Sequence, residues 1–88
     1  MNASDVFHDI VTAQKARTPR GIVSVCSAHP LVVRATMEHA LGDGGVALIE
    51  STANQVNQYG GYTGRSPAEF AVDALAYAQE VGLPTDRI

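Results

Sequence analysis

The sequence predicts an α/β fold in which helices alternate with the strands of a parallel sheet. Two short runs, residues 21–28 and 46–49, are apolar, rich in β-branched residues and almost free of charge, which is typical of strands in a parallel sheet. Three longer segments repeat apolar residues at helical spacing. Alternation of such strands and helices produces right-handed βαβ units, so the predicted order is helix, strand, helix, strand, helix.

The first helix is predicted over residues 2–16, where Asn2 or Ser4 can cap its start. One flank of this helix should be buried, because apolar residues recur along it at Val6, Phe7, Ile10, Val11 and Ala13. A turn at residues 18–21 ends the helix. The strand at residues 21–28 follows, and its composition predicts that it is covered on both faces.

The second helix should begin at Pro30, a residue favoured in the first helical turn. Arg34 and Glu38 should face water. The buried stripe of this helix is predicted at Val33, Met37, Ala40 and Leu41. Glycines at positions 42, 44 and 45 end the helix before the second strand at residues 46–49.

The third helix has a strong start signal. Ser66 can cap the helix, Pro67 suits its first position, and Glu69 completes a capping box. Its apolar face is predicted at Phe70, Ala74, Tyr77, Ala78 and Val81. Gly82 and Pro84 close the helix, and residues 87–88 should begin a further strand.

Composition excludes several classes of function. The 88 residues are 45% hydrophobic and 17% charged, as in a packed domain. The net charge of -3 gives no reason to expect binding to nucleic acid, whose binding proteins usually carry a basic patch. No apolar run is long enough for a membrane span and no secretory signal is present, so we expect a cytoplasmic protein. Cys26 is the single cysteine and is expected to be an inert, buried strand residue.

The connection at residues 50–64 is the predicted functional segment. It gathers a carboxylate, four amides, several hydroxyls and three glycines, and it is longer than a simple link between two elements requires. Long polar loops on a rigid scaffold are commonly binding sites.

Four segments of the chain, CSAHP at 26–30, LIE at 48–50, NQVNQYGGYTG at 54–64 and PAEF at 67–70, resemble the GatZ/KbaZ family. That family is the non-catalytic subunit of class II D-tagatose-1,6-bisphosphate aldolase. The resemblance implies that residues 1–88 are an incomplete, N-terminal part of a single (β/α)₈ TIM barrel domain, formed by one helix and the first two βα units. Ser51 and Arg65 depart from the family pattern, which often has alanine and methionine there.

The resemblance also implies a function. It implies an accessory subunit that supports the stability and activity of a catalytic class II aldolase subunit in the breakdown of tagatose 6-phosphate, galactitol or N-acetylgalactosamine. A divalent metal of the zinc type is expected in that catalytic partner, and no cofactor is expected from this chain. The alternative is a metal-dependent 4-epimerase of fructose and tagatose phosphates. A kinase function ranks last, because the chain has no phosphate-binding lysine or kinase motif. The chain alone is expected to be inactive and poorly stable.

Two candidate site residues follow the strands directly, where functional groups of such barrels gather. Glu50 can bind metal or sugar, or act as a base if the epimerase alternative holds; otherwise it anchors the loop by accepting amide hydrogens. His29 can contact metal or substrate, or cap the helix at Pro30. His8 and His39 are expected at solvated or interface positions on helices, and no two histidines have metal-ligand spacing.

The remaining candidates for substrate binding lie within the loop and comprise Asn54, Gln55, Tyr62 and Thr63. Amides both donate and accept hydrogen bonds, as sugar hydroxyls require, but loop amides can equally satisfy one another. The glycines before the third helix suggest either an anion site for a sugar phosphate or a tight turn that aims Tyr62 and Thr63.

Overall fold

The computed structural model describes residues 1–88 and contains three α-helices and a two-stranded parallel sheet. The elements are α1 (Ala3–Lys15), β1 (Ser24–Cys26), α2 (Pro30–Asp43), β2 (Leu48–Glu50) and α3 (Pro67–Val81), with short 3₁₀ turns at Gly61–Thr63 and Thr85–Arg87. This order confirms the predicted alternation of helices and strands.

The predicted helix starts are also confirmed. Asn2 rather than Ser4 caps α1, accepting from the amide of Asp5 at 2.9 Å. Ser66 caps α3 by accepting from the Glu69 amide at 3.2 Å, while the Glu69 carboxylate accepts from the Ser66 amide at 3.0 Å. These capping boxes satisfy backbone donors that a helix start leaves without partners.

The two strands are shorter than predicted. Their register pairs Ser24 with Leu48 and Cys26 with Glu50, so each strand contributes three residues. Residues 21–23 lie outside the paired strand. The prediction that β1 is covered on both faces is wrong: Ser24 and Cys26 are exposed because no second layer covers that side of the sheet. Glu50 does end β2, as predicted.

The hydrophobic core lies between α2, α3 and one face of the sheet. Val33 and Met37 of α2 are completely buried, as is Ala78 of α3. Ile49, Phe70, Tyr77 and Val81 pack around them while remaining partly exposed. Leu41, predicted in the buried stripe, is instead 41% exposed, at the edge of the stripe formed by Val33, Met37 and Ala40.

Helix α1 is the element that departs furthest from its prediction. None of its residues is buried, and Phe7 and Val11 are 43% and 50% exposed. The radius of gyration is 14.0 Å, whereas a compact domain of this length has roughly 12 Å. The amphipathic flank of α1 and the outer face of the sheet therefore present apolar surface that these 88 residues do not cover.

The C-terminal residues form a turn where a strand was predicted. Pro84 begins a 3₁₀ turn, because its carbonyl accepts from the amide of Arg87 at 2.9 Å. One backbone hydrogen bond resembles those between strands: the amide of Ala47 donates to the carbonyl of Arg87 at 2.8 Å. None of the helices has the length and hydropathy that a membrane crossing would require.

Candidate functional site

A cleft of about 460 Å³ opens at the carboxyl ends of the two strands. Its walls come from three segments that are distant in sequence: the connection from β1 to α2, the loop at residues 50–64 and the first turns of α3. Of the predicted site residues, the cleft brings together His29, Gln55, Tyr62 and Thr63. Glu50 and Asn54 do not line it.

The loop beside the cleft is held by the side chain of Asn57. Its Nδ2 donates to the carbonyl of Ala53 at 2.7 Å, and its Oδ1 accepts from the amides of Tyr59 and Gly61 at 2.8 and 3.2 Å. These three bonds use the amide almost fully. Asn57 is therefore a structural residue, but its partners are backbone groups and not, as the sequence suggested, the other amide side chains of the loop.

Two predicted binding residues, Gln55 and Thr63, also hold the loop. The Gln55 Oε1 accepts from the amide of Thr52 at 2.8 Å. The Thr63 hydroxyl donates to the carbonyl of Gln55 at 2.6 Å and accepts from the amide of Arg65 at 3.1 Å. Gln55 keeps its Nε2 without an intramolecular partner, whereas Thr63 has little capacity left for a ligand.

Gly61 is required where the loop folds back on itself. Its φ is 61°, and a Cβ there would lie 2.6 Å from the carbonyl oxygen of Gln55. Only glycine fits so close to backbone atoms. The resulting 3₁₀ turn at Gly61–Thr63 carries Tyr62 to the mouth of the cleft, where the residue is 75% exposed. The loop thus forms the tight turn that aims Tyr62.

His29 caps helix α2, the second of its two predicted roles. Its Nδ1 accepts from the amide of Leu31 at 3.2 Å, and its own amide donates to the Ser27 hydroxyl at 3.1 Å. The Nε2 atom has no intramolecular partner, so the imidazole can cap the helix and still offer one nitrogen to a ligand in the cleft.

Glu50 and Asn54 are not organised for binding in this arrangement. Both residues are exposed, and neither side chain makes an intramolecular hydrogen bond. The prediction that Glu50 anchors loop amides is wrong: only its backbone carbonyl takes part, accepting from the amide of Ser27 at 3.1 Å. Asn54 likewise contributes its backbone carbonyl, to the amide of Tyr62 at 3.0 Å.

The main cleft feature that sequence reasoning missed is an ion pair between Arg65 and Asp73. The guanidinium donates from Nε and Nη2 to the two Asp73 oxygens, each at 2.9 Å, and its Nη1 lies 3.2 Å from the Glu69 carboxylate. The hydrogen bond to Asp73 raises the pKa of Arg65 above its ordinary value. One signal was available, because Arg65, Glu69 and Asp73 follow one another at intervals of four residues, the spacing of side-chain pairs on a helix.

The N-terminus of α3 is already occupied by the protein's own carboxylate. Hydrogen bonds from the backbone and then the side chain of Ser66, followed by the charge of Arg65, lower the pKa of Glu69. The carboxylate therefore stays ionised where an anionic ligand would have to sit. This arrangement does not favour the anion site that the glycine-rich loop suggested.

The chain offers no compact donor set for a metal ion. No three His, Cys, Asp or Glu side chains approach one another closely enough to hold one together. Cys26, expected to be buried, is exposed at the end of β1, with its Sγ 3.9 Å from the Gln55 Oε1. The His39 imidazole is also exposed, 3.2 Å from Asp43 on the same helix.

Fold and site together define an α/β protein of consecutive βα units with a polar, aromatic cleft at the carboxyl ends of its strands. Residues 7–88 match the model of the D-tagatose-1,6-bisphosphate aldolase subunit GatZ/KbaZ-like family. The chain belongs to this family.

Individual relatives agree with this assignment. The chain is 50% identical over 80 residues to the D-tagatose-1,6-bisphosphate aldolase subunit GatZ of Salmonella newport (strain SL254), and equally to that of Klebsiella pneumoniae. The match covers 91% of this chain and 19% of each relative, so the chain spans about a fifth of their length. A crystal structure of a probable tagatose 6 phosphate kinase from Sinorhizobium meliloti 1021 superposes with a TM-score of 0.73 and 49% identity, over 78% of this chain and 18% of that one.

Proposed function

We propose that this chain is the N-terminal part of an accessory, non-catalytic subunit of class II D-tagatose-1,6-bisphosphate aldolase. The observation that carries the proposal is the 50% identity over 80 residues to relatives that are named as subunits of this aldolase. The accessory subunit stabilises and activates a catalytic class II aldolase subunit, which supplies the divalent metal, of the zinc type, for the reaction. Both subunits work in the cytoplasm.

The fold we propose for the whole subunit is a (β/α)₈ barrel, whose first two βα units are β1–α2 and β2–α3. Parallel pairing of consecutive strands and the packing of α2 beside α3 on one face of the sheet support it. The exposed outer face of β1 is then part of the barrel interior, and the cleft lies at the barrel's functional rim.

The role in the complex is tested with the protein at its natural length and a purified catalytic subunit. Cleavage of tagatose 1,6-bisphosphate is measured for the catalytic subunit alone, with an equimolar amount of this protein, and with the same mass of serum albumin. We expect this protein, and not albumin, to raise the rate and slow thermal inactivation. An effect no greater than that of albumin would contradict the proposal.

The same preparation tests the epimerase alternative, which no observation in the structure or among the relatives favours. The protein is incubated alone with fructose 6-phosphate and a divalent metal, and the products are separated from the substrate. We expect no tagatose 6-phosphate. Its formation at a rate proportional to protein concentration would make the subunit an enzyme in its own right.

A further inference from the structure

The cleft joins an ion pair to three aromatic rings. Arg65 and Asp73 lie on one wall, and their side chains are 41% and 29% exposed, so a ligand can reach both. Tyr62, Phe70 and Tyr77 line the same space, and Phe70 and Tyr77 are partly buried. Ligand sites of this size are commonly lined by aromatic side chains with a few polar groups that fix orientation.

The polar groups of the cleft retain capacity for further hydrogen bonds. Each Asp73 oxygen accepts one bond from Arg65 and keeps a second lone pair, and the guanidinium keeps donors on its Nη atoms. Neither the Tyr62 nor the Tyr77 hydroxyl has an intramolecular partner. Donors and acceptors thus lie side by side, which is the pattern that adjacent hydroxyl groups need, because each hydroxyl both donates and accepts.

The charge of the cleft argues against a phosphate group. Arg65 is surrounded by two carboxylates, those of Asp73 and Glu69, so the cluster carries a net charge of -1. The helix N-terminus that opens on this side is capped by Ser66 and Glu69, and the other nearby N-terminus, that of α2, is capped by His29. A phosphate would therefore meet carboxylates instead of free backbone amides.

We propose that this cleft binds the adjacent hydroxyl groups of an uncharged polyol or sugar, with the Arg65–Asp73 pair as its hydrogen-bonding element, and that it rejects phosphate. The aromatic rings pack against the C–H groups of the ligand, and the Tyr62 hydroxyl closes the open side. This ligand site goes beyond the proposed accessory role, because activation of a partner requires no sugar in this cleft.

The test measures binding to the natural-length protein by isothermal titration calorimetry. The probes are two matched pairs, sorbitol with sorbitol 6-phosphate and fructose with fructose 6-phosphate, together with inorganic phosphate as a competitor. We expect the neutral members to bind and their phosphates to bind at least about fivefold more weakly. Sorbitol is acyclic and fructose largely cyclic, so their relative affinities distinguish an open-chain from a ring ligand.

Variants assign the binding to the named residues. Asp73→Asn should weaken binding of the preferred neutral probe at least about tenfold, whereas Glu80→Gln, which removes a carboxylate two turns further along the same helix and outside the cleft, should leave it unchanged. Tyr62→Phe should weaken binding about threefold or more, and Tyr59→Phe, at a residue that is 91% exposed and outside the cleft, should not. Because Tyr62 is exposed, its variant keeps the test valid even if Asp73→Asn impairs folding.

Three outcomes would overturn the proposal. They are the absence of binding by both neutral probes, a phosphorylated probe that binds as tightly as its neutral counterpart, and displacement of a bound neutral probe by inorganic phosphate. The aldolase assay is independent of these measurements. A protein that activates the catalytic subunit but binds neither neutral probe would contradict the polyol site and leave the accessory role intact.

Discussion

Arg87 donates from its Nη2 to the carbonyl oxygen of Ala40 at 2.7 Å, and so connects the C-terminal turn to the last part of helix α2. Its Nε also donates to the carbonyl of Gly45 at 2.8 Å. Helix ends leave carbonyl groups without partners, and a cation there also complements the helix dipole. One side chain therefore fixes how α2 ends and how the chain turns into β2.

Replacing Arg87 with alanine should lower the free energy of unfolding by about 1–3 kcal/mol, because two charged hydrogen bonds to partly buried carbonyls are lost. Urea denaturation of the natural-length protein measures the change. Arg20→Ala is the control, since the Arg20 side chain is exposed and makes no intramolecular hydrogen bond. Equal stability of the two variants would show that the Arg87 contacts contribute little.

Asn57→Ala and Asn54→Ala should differ although they remove the same side chain from the same loop. Loss of the three Asn57 hydrogen bonds should lower the free energy of unfolding by about 1–3 kcal/mol. Asn54→Ala, at an exposed residue, should change it by less than about 0.5 kcal/mol. Thermal denaturation separates the two, and hydrogen exchange at the Gly61 amide should accelerate only in Asn57→Ala.

Gly61→Ala should damage the loop more than Gly64→Ala does. Both residues have positive φ, 61° and 74°, so alanine is strained by about 1–2 kcal/mol at either position. Only at Gly61 would the new methyl group collide with backbone, whereas nothing lies within 4 Å of the position at Gly64. The midpoint of thermal unfolding should therefore fall further for Gly61→Ala, and an equal fall would contradict the close approach to Gln55.

Ser51→Ala should stabilise the protein. The Ser51 hydroxyl oxygen is buried without a hydrogen-bond partner, and removing such a group should raise the free energy of unfolding by about 0.5–1.5 kcal/mol. Ser27→Ala is a control for which the opposite result is expected. The Ser27 hydroxyl accepts from the His29 amide at 3.1 Å, so its removal should lower the free energy of unfolding. Destabilisation by both variants would reveal a partner for Ser51.

Glu69 should make stability depend on pH. Its pKa is lowered in the folded state, chiefly by the hydrogen bond from the Ser66 backbone, so its contribution is present above the ordinary value of 4.5 and is lost as pH falls through the lower folded value. Glu69→Gln should therefore reduce the loss of stability that the protein shows as the pH falls. Glu38→Gln, at an exposed carboxylate without hydrogen bonds, should retain it. Denaturation curves recorded from pH 6 to pH 3 test the difference.

Local signals were sufficient to predict the order of elements and the helix starts. The capping box of α3 needs only Ser66 and Glu69, which are three residues apart. The start of α2 is marked by Pro30 itself, which favours the first helical turn. Neither signal depends on distant parts of the chain. The extent and burial of β1 could not be predicted in this way. They depend on which strands and helices lie beside β1. The composition of residues 21–28 is typical of a strand with more neighbouring elements than residues 1–88 contain.

The candidate site was predicted in part. His29, Gln55, Tyr62 and Thr63 were found from their position after strands and in the polar loop, because parallel strands bring such segments to one edge. Asp73 was missed because its pairing with Arg65 depends on the path of the loop into α3. Asn57 and Asn54 are the same residue type, and only the fold of the turn at Gly61 decides which one is structural.

The register of the sheet has a consequence for how this segment folds. Ser24 and Leu48 pair across a single intervening helix, so the sheet closes within about two dozen residues of sequence. Closing a short segment loses little chain entropy, and proteins rich in such local contacts fold rapidly. Because chains fold from the N-terminus during synthesis, we expect β1, α2 and β2 to assemble soon after Glu50 leaves the ribosome, and to provide an early template onto which α3 docks.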